Sequence, residues 1–202
     1  MMKRDECLKV LARHRKDEVV AAVWKAAHEW IHISPGDLNY TFVGAMGQGA
    51  SHALGLALAR PDKRIIVLDG DGSLLMNLGC LVTIANVAPR NFIHCLCENG
   101  IYETNGGVAI PGAGRVSFSG LARWSRAKIT LRTSGASTAS STGRPSAAPS
   151  RTPDLPGEGS GGRCFKIMVV VRLGDRADAL DDLLPALAFV GAVKDLSVGG
   201  AG

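Results

Sequence analysis

An apolar run that ends in two carboxylates constrains the fold of this chain more than any other feature. Residues 65–80 read IIVLDGDGSLLMNLGC, in which Asp69 and Asp71 flank one glycine. A continuous apolar run with β-branched residues is typical of a parallel strand that is covered on both faces. Two carboxylates at the tip of such a strand repel each other and lose hydration, so we expect a cation to lie there.

Strand patterns and helix patterns alternate along the first half of the chain. The pattern predicts strands over residues 17–23, 38–44, 63–69 and 90–99, and helices over residues 7–15, 26–31, 51–60 and 73–87. This alternation predicts an α/β fold, a doubly wound and mostly parallel sheet with helices on both faces.

The character of the sequence changes abruptly after about Leu121. We predict a cofactor-binding domain over residues 1–123, a disordered linker over 124–163, and a strand followed by a helix within 164–202. The linker is mostly Ser, Thr, Gly, Pro and Arg, and such a composition buries too little apolar surface to offset its ordering entropy. It is also the composition that a GC-rich gene yields out of frame, so a shifted reading frame is one interpretation of this segment.

Overall composition narrows the function classes. The chain has 202 residues, a net charge of +5 and 46% hydrophobic residues. Basic and aromatic residues do not interleave in a stripe, which argues against nucleic-acid binding. The five cysteines form no regular framework, which indicates a reducing compartment. The sequence has no signal-peptide pattern and no apolar run of membrane-spanning length, so we expect a cytoplasmic protein without a membrane role.

The GDGS stretch at the strand tip suits a magnesium ion and a diphosphate. Gly70 and Gly72 permit a tight turn and a close approach of the backbone to a ligand. Ser73 is expected to open the next helix, where free N–H groups attract an anion. The Asp71 carboxylate is a suitable ligand for Mg²⁺, which takes oxygen ligands and commonly bridges phosphates.

A second polar residue is expected at the same edge of the sheet. Asn99 follows the next predicted strand, in the stretch CENGIYETNGG. The carboxyl ends of neighbouring parallel strands lie side by side, and ligands bind there. Asn99 is therefore placed to give a neutral oxygen to the same metal, and a backbone carbonyl just after it can give another.

The pairing of GDG with an Asn some twenty-six residues later resembles the diphosphate-binding motif of thiamine-diphosphate enzymes. The resemblance extends upstream through YTFVGAMGQGASHALGLALARPDKRIIVLDGDGSLLMNLG and runs to about Ala122. The chain is most similar there to the diphosphate-binding, C-terminal-type domain of phosphonopyruvate and sulfopyruvate decarboxylases, and in particular to their beta subunit. The resemblance implies thiamine diphosphate and Mg²⁺ as cofactors.

The resemblance also implies roles for individual residues. Asp71 and Asn99 match the side-chain ligands of the metal, and Ile101 matches the position that gives a main-chain oxygen. The cofactor-binding positions are Gly44, facing the aminopyrimidine, Met46, supporting the bent cofactor, and Gly70, Gly72 and Ser73 at the diphosphate. The chain departs from the family pattern at Glu98, where many members have Asn, and at Val108, where this subgroup often has Gln after two glycines.

The implied activity is decarboxylation of a small anionic 2-oxo acid such as sulfopyruvate or phosphonopyruvate, by a lyase subunit. In the family a glutamate on a separate pyrimidine-binding domain activates the cofactor, and this chain has no room for that domain. The resemblance therefore implies a hetero-oligomer in which a partner chain supplies the catalytic glutamate, and no catalytic residue is assigned here.

Other interpretations remain open on the residues alone. IIVLDGDGSL also resembles the first motif of haloacid-dehalogenase-type phosphatases, with Asp69 as nucleophile, Asp71 as acid–base partner, and Lys166, Asp175 and Asp178 in later motifs. The glycine-rich FVGAMGQGA is a weak match to a dinucleotide fingerprint. A plain α/β domain and an inactive cofactor-binding remnant are the remaining alternatives.

Overall fold

The computed structural model describes residues 2–125 and 164–172. Six helices and eight strands lie in these residues, and the site depends on the order in which they alternate. The strands are β1 Met2–Lys3, β2 Val19–Val23, β3 Asn39–Phe42, β4 Ile65–Gly70, β5 Phe92–Glu98, β6 Ile101–Tyr102, β7 Val108–Ala109 and β8 Cys164–Arg172. The helices are α1 Arg4–His14, α2 Trp24–Ile33, α3 Gly49–Ala59, α4 Asp71–Leu75, α5 Gly79–Val87 and α6 Phe118–Trp124.

The main sheet has six strands in the order β1-β8-β5-β4-β2-β3. Strands β3, β2, β4 and β5 are parallel, whereas β8 pairs with β5 in the antiparallel sense and β1 does so with β8. The strand order reverses between β2 and β4, because β3 lies on one side of β2 and the chain returns to place β4 on the other. Ligands bind at the carboxyl ends of parallel strands at such a reversal.

Helices cover both faces of the sheet, as the alternating pattern predicts. Alternate residues of β4 point to opposite faces. Ile65 and Val67 join a cluster with residues of α3, α5 and α6, while Ile66 and Leu68 join a cluster with residues of α1 and α2. Because all four side chains are at most 1–2% exposed, β4 lies in the middle of the core. The predicted α/β fold with a mostly parallel sheet is confirmed.

The prediction of one continuous helix over residues 73–87 is wrong. The chain forms α4 and α5 instead, with residues 76–78 between them. The Asn77 side-chain amide donates to the carbonyl oxygen of Gly47 at 3.0 Å. This bond connects the break to residues 44–47, called here the GAMG loop. The apolar pattern did not reveal the break, and the bond that accompanies it joins residues thirty positions apart.

The described residues test only part of the predicted division of the chain. The strand predicted at the start of 164–202 is present as β8. The predicted helix after it and nearly all of the predicted linker lie outside the described residues. Within the described ranges, no helix combines the length and apolarity needed to cross a bilayer.

Candidate functional site

A cavity lies at the carboxyl ends of β2, β4 and β5, where the strand order reverses. The GDGS turn after β4 lines it, together with Asn99 and Ile101 after β5 and Met46 from the GAMG loop. Trp24 and Lys25, at the start of α2, complete the side formed by β2. The cavity is thus lined by seven residues that were predicted to bind the cofactor or the metal: Met46, Gly70, Asp71, Gly72, Ser73, Asn99 and Ile101.

Asp71 is the most constrained side chain of this cavity. It is 2% exposed, and its carboxylate accepts N–H groups from both neighbouring loops. Oδ1 accepts from Gly72 at 2.9 Å, and Oδ2 accepts from Asn99 at 3.0 Å and from Gly100 at 2.6 Å. Burial raises the pKa of Asp71, and these N–H donors offset the rise only in part.

The remaining lone pairs of Asp71 and Asn99 fit a hard cation. A carboxylate offers about four acceptor sites, and three N–H donors occupy three of them on Asp71. Asn99 Oδ1 accepts the N–H of Ile101 at 2.9 Å, which leaves one of the two lone pairs of that oxygen. Each oxygen-bearing group therefore keeps one acceptor site, and oxygen atoms are the ligands that Mg²⁺ prefers.

No group of three or more His, Cys, Asp or Glu suited to a metal occurs within residues 2–125 and 164–172. The predicted ligand set does not need such a group, because it combines one carboxylate with an amide oxygen and a main-chain carbonyl. A diphosphate would complete the coordination of a metal held by so few protein ligands.

Ser73 does not open a helix, contrary to the sequence prediction. Helix α4 has five residues and begins at Asp71, so Ser73 lies inside it. The Ser73 hydroxyl accepts the N–H of Gly47 at 3.0 Å, a bond that is buried. Ser73 therefore joins the turn after β4 to the GAMG loop and still lines the cavity.

Gly44 lies on the exposed part of the GAMG loop. A Cβ added at Gly44 would lie 3.0 Å from the Phe42 ring, so the loop passes close to the end of β3. Gly47 has a φ of +84°, a left-handed conformation that favours glycine, and this sets the direction in which the loop enters α3.

Asp69 points to the opposite face of the sheet from its neighbours in the strand. It is 1% exposed, and its Oδ1 accepts the N–H of Gly70 at 2.8 Å. Asp69 thus bonds to the turn that follows β4. His94 Nε2 lies 3.4 Å from Asp69 Oδ2, and both side chains are buried. The sequence analysis did not find this neighbour, because a histidine in a buried strand gives no local signal of its partner.

Sequence analysis also missed two cavity residues, Trp24 and Lys25. The Trp24 indole N–H is buried without a hydrogen-bond partner in the described part of the chain, and Trp24 has a φ of +48°. Lys25 makes no ion pair in that same part. Both directly follow β2, and the rule that ligands bind at strand ends would have found them had the reversal of strand order been known.

Gly72 leaves no room for a side chain. A Cβ at this position would lie 2.7 Å from two ring atoms of Tyr102, and 3.2 Å from Ile110. We expect Gly72→Ala to lower the free energy of unfolding by about 1–3 kcal/mol, because the Tyr102 ring must move within a packed region. Urea denaturation followed by circular dichroism measures this change.

Gly55→Ala is the matched control for Gly72→Ala. A Cβ at Gly55 would meet no atom within 4 Å, and Gly55 lies inside α3. Alanine is the better helix former, so we expect Gly55→Ala to keep or raise stability by up to about 1 kcal/mol. Equal stability of the Gly72→Ala variant and the unaltered chain would contradict the close contact.

Two curated proteins are similar in sequence to part of this chain. Phosphonopyruvate decarboxylase of Streptomyces hygroscopicus is 42% identical over 89 residues, which cover 44% of this chain and 22% of that protein. Sulfopyruvate decarboxylase subunit beta of Methanothermobacter thermautotrophicus is 39% identical over 107 residues, covering 52% of this chain and 57% of that protein. The chain thus spans between about a fifth and just over half of the length of these relatives.

The fold also matches a solved structure. Benzoylformate decarboxylase from Polynucleobacter necessarius superposes with a TM-score of 0.52 at 20% identity, over 64% of this chain and 28% of that one. The family model "Thiamine pyrophosphate enzyme, C-terminal TPP binding domain" matches residues 20–143, a range that contains every residue predicted to bind the cofactor or the metal. The chain therefore belongs to the family of C-terminal, thiamine pyrophosphate-binding domains of thiamine pyrophosphate enzymes.

Proposed function

We propose that this chain binds thiamine diphosphate (thiamine pyrophosphate) through Mg²⁺ as one subunit of a 2-oxo acid decarboxylase of the sulfopyruvate or phosphonopyruvate type. The observation that carries the proposal is the arrangement of Asp71 and Asn99. Both line one cavity at the carboxyl ends of β4 and β5. The side-chain oxygens of each accept hydrogen bonds from nearby N–H groups, and each side chain keeps one further acceptor site for a metal ion.

The residues present fit the two cofactors. Asp71 and Asn99, with the main-chain oxygen of Ile101, would hold the metal, and Gly70, Gly72 and Ser73 would lie at the diphosphate. Trp24 and Lys25 also line the cavity, and the Lys25 ammonium group offers a positive charge beside them. Gly44 and Met46 would contact the aminopyrimidine from one side.

The hard chemistry belongs to the cofactor. When bound, thiamine diphosphate supplies the nucleophilic carbon and the electron sink that allow a 2-oxo acid to lose CO₂. The residues of this chain would anchor and orient the cofactor at the carboxyl ends of β4 and β5. The small anionic substrate is proposed from the names of the relatives.

A partner chain is part of the proposal. Two observations support it: the relative from Methanothermobacter is named subunit beta, and several large apolar side chains of this domain are about half exposed. These are Val43 at 50%, Leu58 at 57%, Met76 at 49% and Val82 at 50%. Burial against another chain would remove this apolar surface from water. We propose that the partner carries the pyrimidine-binding domain and its glutamate, and that the complex is cytoplasmic.

Isothermal titration of the full chain with thiamine diphosphate tests the proposed cofactors. We expect binding in the presence of Mg²⁺ and none detectable with a chelator, because Asp71 would hold the metal that offsets the charge of the diphosphate. Absence of metal-dependent binding would contradict the proposal. Binding alone would not separate an active subunit from an inactive remnant, and turnover with the partner makes that distinction.

The phosphatase interpretation receives no support from the site. Asp69, its nucleophile, is 1% exposed, accepts the N–H of Gly70, and lies 3.4 Å from His94 Nε2. Asp175 and Asp178, which that mechanism would also need, lie outside the described residues.

A further inference from the structure

We propose that Glu103, held by Arg4, is a positioning residue that fixes the direction of the Asn99 side-chain amide at the metal site. The inference rests on the proposed function and deepens it, since it assigns a role to two residues that line the cavity but are not among the proposed ligands of the metal or the cofactor. Arg4 begins α1, and Glu103 follows β6, so the two elements meet only in the folded chain.

Arg4 is a buried cation with carboxylates on both sides. It is 5% exposed, and its guanidinium forms two bonds to Glu29, from Nε at 2.7 Å and from Nη2 at 2.6 Å. A third nitrogen, Nη1, donates to Glu103 Oε2 at 3.0 Å. Burial alone would lower the pKa of Arg4, but the hydrogen bonds to Glu29 and Glu103 outweigh it and raise that pKa. Arg4 therefore stays charged and anchors Glu103.

Glu103 connects Arg4 to Asn99 through hydrogen bonds. The same oxygen, Oε2, accepts the Asn99 Nδ2–H group at 3.4 Å. On its other side, Asn99 Oδ1 accepts the N–H of Ile101 at 2.9 Å. The amide of Asn99 thus lies between an acceptor that faces its nitrogen and a donor that faces its oxygen.

This pair of neighbours favours one orientation of the amide over the other. If the amide were turned over, its oxygen would face the Glu103 carboxylate and its NH₂ group would face the Ile101 N–H. Two acceptors would then oppose each other on one side and two donors on the other. The network therefore holds Asn99 Oδ1, rather than Nδ2, as the atom available to a metal ion.

Arg4 makes this position of Glu103 possible. The cavity already contains the carboxylates of Asp69 and Asp71, and a third carboxylate nearby would be repelled if it were not neutralised. Arg4 supplies the neutralising charge, and Glu29 fixes the guanidinium from the opposite side.

Removal of Glu103 tests the inference more cleanly than removal of Arg4. Arg4→Met would leave Glu29 and Glu103 unpaired and so threatens folding. The Glu103 side chain is 24% exposed, so truncation to alanine is better tolerated. The measurement is Mn²⁺ binding to the full chain with thiamine diphosphate present, followed by electron paramagnetic resonance of the free ion, with thermal unfolding measured in parallel.

We expect Glu103→Ala to weaken Mn²⁺ affinity by about tenfold, the lower end of what loss of a group supporting a metal ligand typically causes. In an Asn99→Ala background, Glu103→Ala should cause no further loss, because the residue acts through Asn99. Glu103→Gln, which keeps an oxygen for the Asn99 amide, should recover part of the affinity. If Glu103 had only a structural role, Glu103→Ala would lower the unfolding temperature but would leave the Mn²⁺ affinity of each variant, relative to the unaltered chain, unchanged.

Glu29→Gln is the matched control. It disturbs Arg4 on the side away from Asn99, so we expect a lower unfolding temperature and an Mn²⁺ affinity within about twofold of the unaltered chain. Unchanged affinity in Glu103→Ala, or the same loss with and without Asn99, would overturn the inference while leaving the proposed function intact. Failure of the unaltered chain to bind Mn²⁺ and thiamine diphosphate would overturn the proposed function and this inference with it.

Discussion

Asp71→Ala is expected to abolish magnesium-dependent binding of thiamine diphosphate. The substitution removes the only charged protein ligand that we assign to the metal and leaves the charge of the diphosphate uncompensated. Asn99→Ala should weaken binding less, because Asn99 is a neutral ligand. Calorimetric titration with and without Mg²⁺ measures both effects.

Two further variants separate ligand loss from misfolding. Asp71→Asn keeps the shape of the side chain while removing its charge, so its loss of metal-dependent binding should exceed its loss of stability. Asp62→Ala removes an exposed carboxylate that pairs with Arg60 in the described part of the chain, and we expect it to bind as the unaltered chain does. The proposed metal site would be refuted by equal magnesium-dependent affinity in Asp71→Ala and the unaltered chain.

Decarboxylation is expected only when a partner chain with a pyrimidine-binding domain is added. The acidic side chains that line the described cavity are Asp69, Asp71 and Glu103. Asp71 is assigned to the metal, Glu103 is paired with Arg4, and Asp69 bonds to the turn after β4. None is therefore left as a carboxylic acid for the far end of a cofactor anchored at Asp71, where an acid in an apolar cleft is needed.

The assay is CO₂ release from sulfopyruvate and from phosphonopyruvate, with the chain alone, the partner alone and the two together. We expect no turnover above background from either chain by itself and clear turnover from the mixture. The mixture containing Asp71→Ala should be as inactive as the separate chains. Substantial turnover by the isolated chain would show that the site is complete without a partner.

The positions of the polar site residues were predictable from the sequence, because each residue follows a strand that can be recognised from its own apolar pattern. Asp71 follows a continuous apolar run, and Asn99 follows the next one, so the rule for parallel strands was enough to bring them together.

The network behind these residues was not predictable in the same way. Arg4 and Glu103 are 99 positions apart, and neither lies in a pattern that indicates the other. The bond between Asn77 and Gly47 that accompanies the break between α4 and α5 is also long-range. Hydrophobic periodicity reports which face of an element is buried, but it carries no information on pairs of polar side chains from distant elements.

The antiparallel strand β8 has a consequence for how this domain can change over evolution. Strand β8 adds to the sheet on the side of β5 that faces away from β4. Among the described residues, those that line the cavity all come from the stretch between Arg4 and Thr104. Substitutions in β8 therefore replace none of these lining residues, although Ile167 of β8 pairs in register with Cys97, which is one of them.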